Sequence, residues 1–97
     1  MSEPYEIRYA DEAFADIRGL RTFDQRKVME GIELHLTQQP RLVSRSRIKA
    51  MVQPFWSQYR LRIDDFRVYY DVDDESHLVH VLRVLMKTTQ TTAEESP

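Results

Sequence analysis

The sequence predicts an α+β domain in which a short N-terminal strand and a helical hairpin precede an antiparallel three-strand meander that packs on the helices. Apolar residues recur at helical spacing between residues 11 and 39, whereas apolar and polar residues alternate from residue 57 onward. The 97 residues, 41% of them hydrophobic, suffice for one small core and exclude a multidomain protein. We therefore expect a single domain over residues 1–87, followed by a polar and disordered tail over residues 88–97.

The first strand and the first helix are predicted within the first 20 residues. Residues 5–9 alternate apolar and polar side chains and are rich in residues that favour strands. Residues 11–18 begin with acidic side chains, which favour a helix start, and place Ala13, Phe14 and Ile17 at helical spacing. This pattern predicts a helix of about two to three turns.

The second helix is predicted to begin near Phe23 and to end before Pro40. Thr22 and Gln25 fit the capping-box pattern, in which their side chains bind backbone N–H groups at the helix start. One apolar stripe runs along the helix at a spacing of four residues, formed by Val28, Ile32 and Leu36. The pattern ends at Gln39 because the residue before a proline is disfavoured in the α conformation.

Residues 41–57 follow neither a helical nor a strand period, and Pro54 interrupts any extended stretch. We expect an ordered loop that carries Met51, Phe55 and Trp56 inward. Loops of this length are uncommon in compact domains unless they have a functional role.

Three strands are predicted in the C-terminal half because apolar and polar residues alternate in residues 57–63, 66–72 and 78–85. If Asp64 and Asp65 form a two-residue turn, the paired residues are Ile63 with Phe66, Arg62 with Arg67 and Arg60 with Tyr69. One face of the sheet then carries Arg60, Arg62, Arg67 and Tyr69. Opposed arginines cost a few tenths to about 1 kcal/mol unless an anion or a nearby carboxylate neutralises them.

The length of the second turn decides which residues of the last strand share this face. A four-residue loop at residues 73–76 places His80, Leu82 and Val84 there, whereas a three-residue loop at residues 74–76 places Val81, Arg83 and Leu85 there.

Charge is distributed unevenly, although the formal net charge is only −2. Residues 1–40 hold 5 basic and 8 acidic side chains, residues 41–67 hold 7 and 2, and residues 68–97 hold 2 and 6. Eleven of the 14 basic residues are Arg, which favours bidentate contact with phosphate or carboxylate. A polyanionic partner is therefore expected for the basic middle segment.

Several classes of protein are excluded or disfavoured. The chain has no cysteine and only two glycines, which argues against a disulfide scaffold, a thiol nucleophile and a glycine-rich nucleotide loop. Its three histidines lack acidic partners at metal-ligand spacing, so we expect no metal and no cofactor. Without a membrane-spanning stretch or a signal peptide, we expect a cytoplasmic protein that binds no membrane.

Three segments carry a recognisable family pattern, namely residues 47–51, 59–75 and 81–84. The middle segment is the most specific and consists of Tyr-Arg-Leu-Arg-Ile, a two-residue turn and Phe-Arg-Val-Tyr-Tyr. Over residues 4–87, the chain resembles the RelE/ParE toxin superfamily of bacterial type II toxin–antitoxin systems, and the RelE-like fold is implied. RelE-like members are cofactor-free ribonucleases that cleave messenger RNA in the ribosomal A site and are held inactive by a cognate antitoxin.

The resemblance implies partners and roles for particular residues. The expected partners are a cognate antitoxin, the ribosome and messenger RNA, with operator DNA contacted only through the antitoxin complex. The expected catalytic residues are Arg60, Arg62, Arg67 and Lys87. Arg60 and Arg62 are expected to hold the RNA backbone and assist the reaction, Arg67 to stabilise the phosphate attacked by the 2′-OH, and Lys87 to act as a further catalytic cation. The expected RNA-binding residues are Arg47, Lys49, Tyr69 and Arg83. Grouping Lys87 with Arg83 on one face favours the three-residue loop.

The chain departs from the family pattern after its last strand. Many members continue with Gly-His-Arg and a downstream aromatic residue for proton transfer, whereas residues 85–92 here contain neither His nor Tyr. Because Arg is a poor general base, a second function is also open. It is a ParE-like inhibitor of DNA gyrase, or a catalytically impaired member that only binds its antitoxin.

Overall fold

The computed structural model describes residues 3–87, which form two helices and one five-stranded sheet. In chain order the elements are β1 (Glu6–Tyr9), α1 (Asp11–Arg18), α2 (Thr22–Leu36), β2 (Ile48–Ala50), β3 (Tyr59–Ile63), β4 (Phe66–Asp73) and β5 (Leu78–Met86). The strand order is β1-β5-β4-β3-β2, with β1 parallel to β5 and all other neighbours antiparallel. The predicted α+β class is confirmed, and the meander forms three of the five strands. The tail predicted at residues 88–97 lies outside the described residues.

The core lies between the helices and one face of the sheet. From α2 it receives the stripe predicted from the sequence, Val28, Ile32 and Leu36, all fully buried. From α1 it receives Ala13 and Ile17, whereas Phe14 is 55% exposed, because it lies off the face that those two residues share. The sheet contributes Leu61, Ile63, Phe66, Val68, Tyr70, Val72, Val79, Val81 and Val84. Neither helix within residues 3–87 has the length and hydrophobicity needed to cross a membrane.

The start of α2 differs from the predicted capping box. Thr22 already lies in the first turn, and the N-cap residue is Arg21, which makes no side-chain capping hydrogen bond. Gln25 instead donates its amide N–H groups to the carbonyl oxygens of Leu20 (2.8 Å) and Arg18 (3.5 Å). The capping-box prediction is therefore wrong, and Gln25 fastens the connection between the two helices.

The segment predicted as a loop at residues 41–57 contains β2, which pairs with β3. With only three residues, β2 is too short to show the alternation that identifies a strand. Met51 and Phe55 are partly buried, whereas Trp56 is 49% exposed. The inward placement of Trp56 and Phe55 is wrong. The Trp56 ring packs on the sheet face opposite the core, against Tyr69, and the Phe55 ring stacks on Trp56.

The β3–β4 hairpin has the register predicted from a two-residue turn. Asp64 adopts φ 51°, a left-handed conformation that Asp tolerates better than most residues. The five pairs are Tyr59 with Tyr70, Arg60 with Tyr69, Leu61 with Val68, Arg62 with Arg67, and Ile63 with Phe66. This register directs the three arginines away from the helices, as expected.

The connection between β4 and β5 differs from both predicted loops. Residues 74–77 form the turn, because Asp73 pairs with Leu78. The register then shifts by one residue at a bulge that contains Leu82. The pairs on either side of the bulge are Tyr70 with Val81 and Tyr69 with Arg83.

The bulge lets both alternative registers exist in one strand. On the turn side of the bulge, His80 pairs with Asp71 and shares the arginine face, as the four-residue loop predicts. Beyond the bulge, Arg83 and Leu85 share that face, as the three-residue loop predicts. Val81, which the three-residue loop places there, is buried in the core instead.

Tyr70 anchors the chain that leaves α2. Its fully buried hydroxyl donates a hydrogen bond of 2.6 Å to the carbonyl oxygen of Pro40, which is also buried. Burial raises the pKa of the Tyr70 hydroxyl, so it remains a donor at neutral pH.

Replacing Tyr70 with Phe leaves the buried Pro40 carbonyl without this donor. We expect Tyr70→Phe to lower the free energy of unfolding by about 1–2 kcal/mol in urea denaturation. Tyr59→Phe is the matched control, since the partly exposed Tyr59 ring stacks on Tyr70 at 5.6 Å, and its effect should stay within about 0.5 kcal/mol. Equal stability of Tyr70→Phe and the unmodified protein would contradict this role.

Candidate functional site

A groove of about 520 Å³ crosses the edge of the sheet where β2, β3 and β4 meet the end of β5. Seven of its eleven lining residues are basic: Arg45, Arg47, Lys49, Arg60, Arg62, Arg67 and Lys87. The other four are Val43, Ser44, Ser46 and Ile48. The described lining contains no acidic residue, and we call this site the cationic groove.

Strand pairing places the basic residues of the groove in rows. Lys49 pairs with Arg60, so their side chains lie beside each other across β2 and β3. Two residues along β3, Arg62 pairs with Arg67 across β3 and β4. Directly paired residues have Cβ atoms about 4.5–5.5 Å apart, so each row brings two positive charges close together. An anion bound between them would offset their repulsion.

The segment between α2 and β2 forms one wall of the cationic groove. The Ser44 hydroxyl accepts hydrogen bonds from the backbone N–H groups of Arg47 (3.2 Å) and Ile48 (3.3 Å). The Arg47 guanidinium donates from Nη1 to the carbonyl oxygen of Arg62 at 3.3 Å. These contacts hold Arg47 against β3, where its charge adds to that of the rows.

Arg67 is the most restrained cation of the groove. Its side chain is held in a largely buried position, with the residue 4% exposed. Its Nη1 donates to the carbonyl oxygens of Asp64 (3.2 Å) and Phe66 (3.3 Å), both next to the hairpin turn. This geometry fixes the direction of the guanidinium before any ligand binds.

Two carboxylates near the groove make contacts with residues outside its lining. Asp64 lies 3.1 Å from the Lys27 ammonium, measured from Oδ2 to Nζ. Asp71 accepts a hydrogen bond of 2.7 Å from the backbone N–H of Gln58. Asp64 thus links the hairpin turn to α2, and Asp71 links β4 to the start of β3.

Lys87 lies in the groove lining, apart from Arg83. Its backbone N–H donates a hydrogen bond of 2.6 Å to the carbonyl oxygen of Asp65 in the hairpin turn. The end of β5 is thereby fastened beside Arg62 and Arg67, and all four expected catalytic cations line one cavity.

Tyr69 stands on the arginine face but is fully buried. The Trp56 ring covers it at a centroid distance of 4.6 Å, and the Phe55 ring lies 6.2 Å away. Because Tyr69 has no exposed surface, it is not placed to contact RNA in this conformation. The expectation of a direct contact missed the aromatic cover that the preceding loop supplies.

Arg83 is placed apart from the described groove lining, in an ion pair with α1. Its Nε and Nη2 donate to the two carboxylate oxygens of Asp16 at 2.7 and 3.1 Å. The same carboxylate accepts the backbone N–H of Val84 at 2.9 Å. Burial raises the pKa of Asp16, but the hydrogen bonds from Arg83 and Val84 outweigh it and leave the pKa below its ordinary value. Arg83 thus fastens α1 to β5.

The sequence pattern missed Arg45, Ser44 and Ser46 as groove residues. Their membership of the basic middle segment was the available signal, but a loop without periodicity does not reveal which side chains converge. His35 lines a smaller cavity of about 260 Å³ that shares Ser44, Arg47 and Ile48 with the groove. Burial and the charge of Arg47 lower the pKa of His35, so its ring is neutral at pH 7.

The chemistry available in the groove is charge neutralisation. Arg and Lys donate hydrogen bonds and stabilise anionic oxygens, especially when they are held in place before the ligand arrives. The described lining contains no His, Tyr, Asp or Glu, the side chains that most often accept a proton. Residues 3–87 also contain no group of three or more His, Asp or Glu side chains arranged to hold a metal ion.

Comparison with known proteins identifies a family pattern over nearly the whole chain. The family model described as the ParE toxin of the type II toxin–antitoxin system parDE matches residues 7–90. No curated protein matches the sequence significantly.

Solved structures share the fold. The toxin–antitoxin complex RelBE2 from Mycobacterium tuberculosis matches with a TM-score of 0.72 and 25% identity, covering 87% of this chain and 99% of the other. The intact RelBE complex of E. coli matches with a TM-score of 0.68 and 18% identity, covering 89% and 99%. The isolated RelE toxin of E. coli matches with a TM-score of 0.69 and 17% identity, covering 95% and 94%.

The role of Asp16 as a structural anchor can be tested through its pH dependence. We expect Asp16→Asn to lower the free energy of unfolding by about 1 kcal/mol at pH 7, because Arg83 and Val84 lose a charged acceptor. Since the folded-state pKa lies below 3.8, the stabilisation is present above that value and is lost as the pH falls through the folded pKa. Urea denaturation at several pH values should show the difference between the two proteins shrinking below about pH 4. A difference that is independent of pH would contradict the ionic contribution.

Proposed function

Because the chain belongs to the ParE toxin family of type II toxin–antitoxin systems, we propose that it is a RelE-like toxin that cleaves messenger RNA on the ribosome. The observation that carries this proposal is the cationic groove, in which seven basic residues and no described acidic residue line one cavity. A segment of single-stranded RNA presents a row of phosphates, which is the kind of ligand such a lining attracts.

The proposed reaction needs no cofactor. The 2′-oxygen of one nucleotide attacks the adjacent phosphorus while its proton passes to solvent water, and the bond to the 5′-oxygen breaks. The 5′-oxygen receives a proton from the Lys87 ammonium, which solvent then reprotonates. Negative charge grows on the non-bridging oxygens during the attack, and fixed cations stabilise it.

Each cation has a distinct place in the proposal. Arg67, held by the carbonyl groups beside the hairpin turn, stabilises the charge on the attacked phosphate. Arg60 and Arg62 hold the RNA backbone beside it, and Lys87 supplies a protonated ammonium for the leaving oxygen. Arg47, Lys49 and Arg45 bind the neighbouring phosphates along the loop wall.

We also propose that a cognate antitoxin inhibits this toxin. The related structures from Mycobacterium tuberculosis and E. coli are, by their descriptions, toxin–antitoxin complexes. An acidic or amphipathic segment of the antitoxin would suit a groove of this charge. Operator DNA would be contacted only through the antitoxin complex, and the toxin would act in the cytoplasm.

Inhibition of DNA gyrase without RNA cleavage is the second candidate function. It is favoured by the family model, which is that of the ParE toxin, and by the lack of a conventional proton acceptor in the described groove lining. A supercoiling assay with purified gyrase separates the two candidates, because a ribonuclease that cleaves messenger RNA leaves the supercoiling of DNA unchanged.

Removing the guanidinium of Arg67 tests the nuclease proposal. We expect Arg67→Ala to slow cleavage of messenger RNA on programmed ribosomes by about 100- to 1,000-fold, as is typical when one fixed donor to a developing oxyanion is lost. Arg62→Ala should act in the same direction, and its exposed position keeps the risk to folding low.

Arg8→Ala is the matched control, because Arg8 is an exposed strand arginine paired with Glu6 on β1. It should cleave at the unmodified rate, and thermal unfolding should confirm that all variants are folded. Unchanged cleavage by folded Arg67→Ala and Arg62→Ala would overturn the proposed chemistry. Gyrase inhibition without cleavage would support the second candidate instead.

A further inference from the structure

Phe55, Trp56 and Tyr69 form an aromatic cluster beside the cationic groove, and nothing in the proposed chemistry uses it. Tyr69 pairs directly with Arg60, so the cluster begins one side chain away from the groove. Trp56 packs on Tyr69 and therefore lies on the same sheet face as the arginines. Although it is a large apolar side chain, Trp56 is 49% exposed.

The two neighbouring rings do not enclose the Trp56 ring. Its centroid lies 5.0 Å from that of Phe55 and 4.6 Å from that of Tyr69, while the Phe55 and Tyr69 centroids are 6.2 Å apart. Rings on opposite sides of Trp56 would be separated by nearly the sum of the two shorter distances. Phe55 and Tyr69 therefore do not enclose Trp56 between them, and 49% of the residue stays exposed.

We propose that the exposed part of the Trp56 ring is a stacking platform for one nucleobase of the RNA whose phosphates lie in the cationic groove. This inference rests on the proposed function and adds a base-contacting site to it. Proteins that bind single-stranded nucleic acid combine a basic groove with aromatic rings on which bases stack. Here Arg60 and Trp56 occupy neighbouring positions on one face, so a backbone held at Arg60 brings a base within reach of the ring.

The cluster also has the rigidity that a platform needs. Tyr69 is fixed in β4 and Trp56 packs against two rings, so little freedom remains to be lost when a base stacks. Since every base has a π-face, the platform would strengthen binding of any RNA sequence. A stacked base would also help to position the attacked phosphate beside Arg67.

The single tryptophan of the chain makes the inference directly measurable, because intrinsic tryptophan fluorescence reports on Trp56 alone. The protein is titrated with a short 2′-O-methyl RNA, which resists cleavage, and with an abasic oligomer of the same phosphate count. We expect both to bind at low salt, but only the oligomer with bases should quench the fluorescence, and it should bind about tenfold more tightly.

The outcomes separate this inference from the function on which it rests. Binding of both oligomers with equal affinity and without quenching overturns the platform while leaving the phosphate-binding groove intact. Failure of both to bind overturns the groove as well. If Trp56 instead binds a protein partner, both oligomers would bind with equal affinity and without quenching.

Substitutions supply the matched comparison. Trp56→Leu keeps an apolar cover over Tyr69 but removes the π-face, and we expect it to bind the base-containing RNA about tenfold more weakly and the abasic oligomer normally. Trp56→Phe should retain most of the affinity. Phe23→Ala removes an exposed aromatic residue from α2, on the other side of the sheet, and should have no effect. Undiminished RNA binding by Trp56→Leu would overturn the proposal.

Discussion

The register of the β3–β4 hairpin is the constraint on which the rest of the structure depends. A two-residue turn at Asp64 and Asp65 sets Arg62 opposite Arg67 on one face and Ile63 opposite Phe66 on the other. A slip of one residue in either strand would exchange its faces, burying charge in the core and exposing the apolar residues that pack on the helices. The same pairing that builds the core therefore builds the cationic groove.

The bulge in β5 solves a second geometric problem. Near the turn, β5 must direct Val79 and Val81 into the core, whereas beyond the bulge it directs Val84 there and Arg83 to the opposite face. The extra residue in the bulge, Leu82, allows both arrangements in one strand. The ion pair between Arg83 and Asp16 then fixes the strand beyond the bulge. The strand then delivers Lys87 to the hairpin turn, so the last described residue completes the groove.

Features set by neighbours in sequence were predictable, whereas features set by distant contacts were not. Alternation over residues 57–72 was sufficient for the hairpin register and the arginine face, and spacing by four residues was sufficient for the buried stripe of α2. β2 was missed because three residues carry no periodic signal. The bulge was missed because it depends on packing against β4 and α1, and the burial of Tyr69 was missed because its cover comes from an aperiodic loop. The place of Arg45 beside the strand arginines likewise required the folded chain.

The central claim is that the cationic groove binds the RNA backbone through its phosphates. The most direct measurement is the salt dependence of binding of a short, uncleavable single-stranded RNA. Each phosphate neutralised by the protein lowers the logarithmic slope of affinity against salt by about 0.7 for a single strand. With the rows Lys49–Arg60 and Arg62–Arg67 engaged, we expect a slope of about −2 to −3 and a slope shallower by about 0.7 in Arg62→Ala. Affinity that does not change with salt, or a slope that Arg62→Ala leaves unchanged, would contradict the claim.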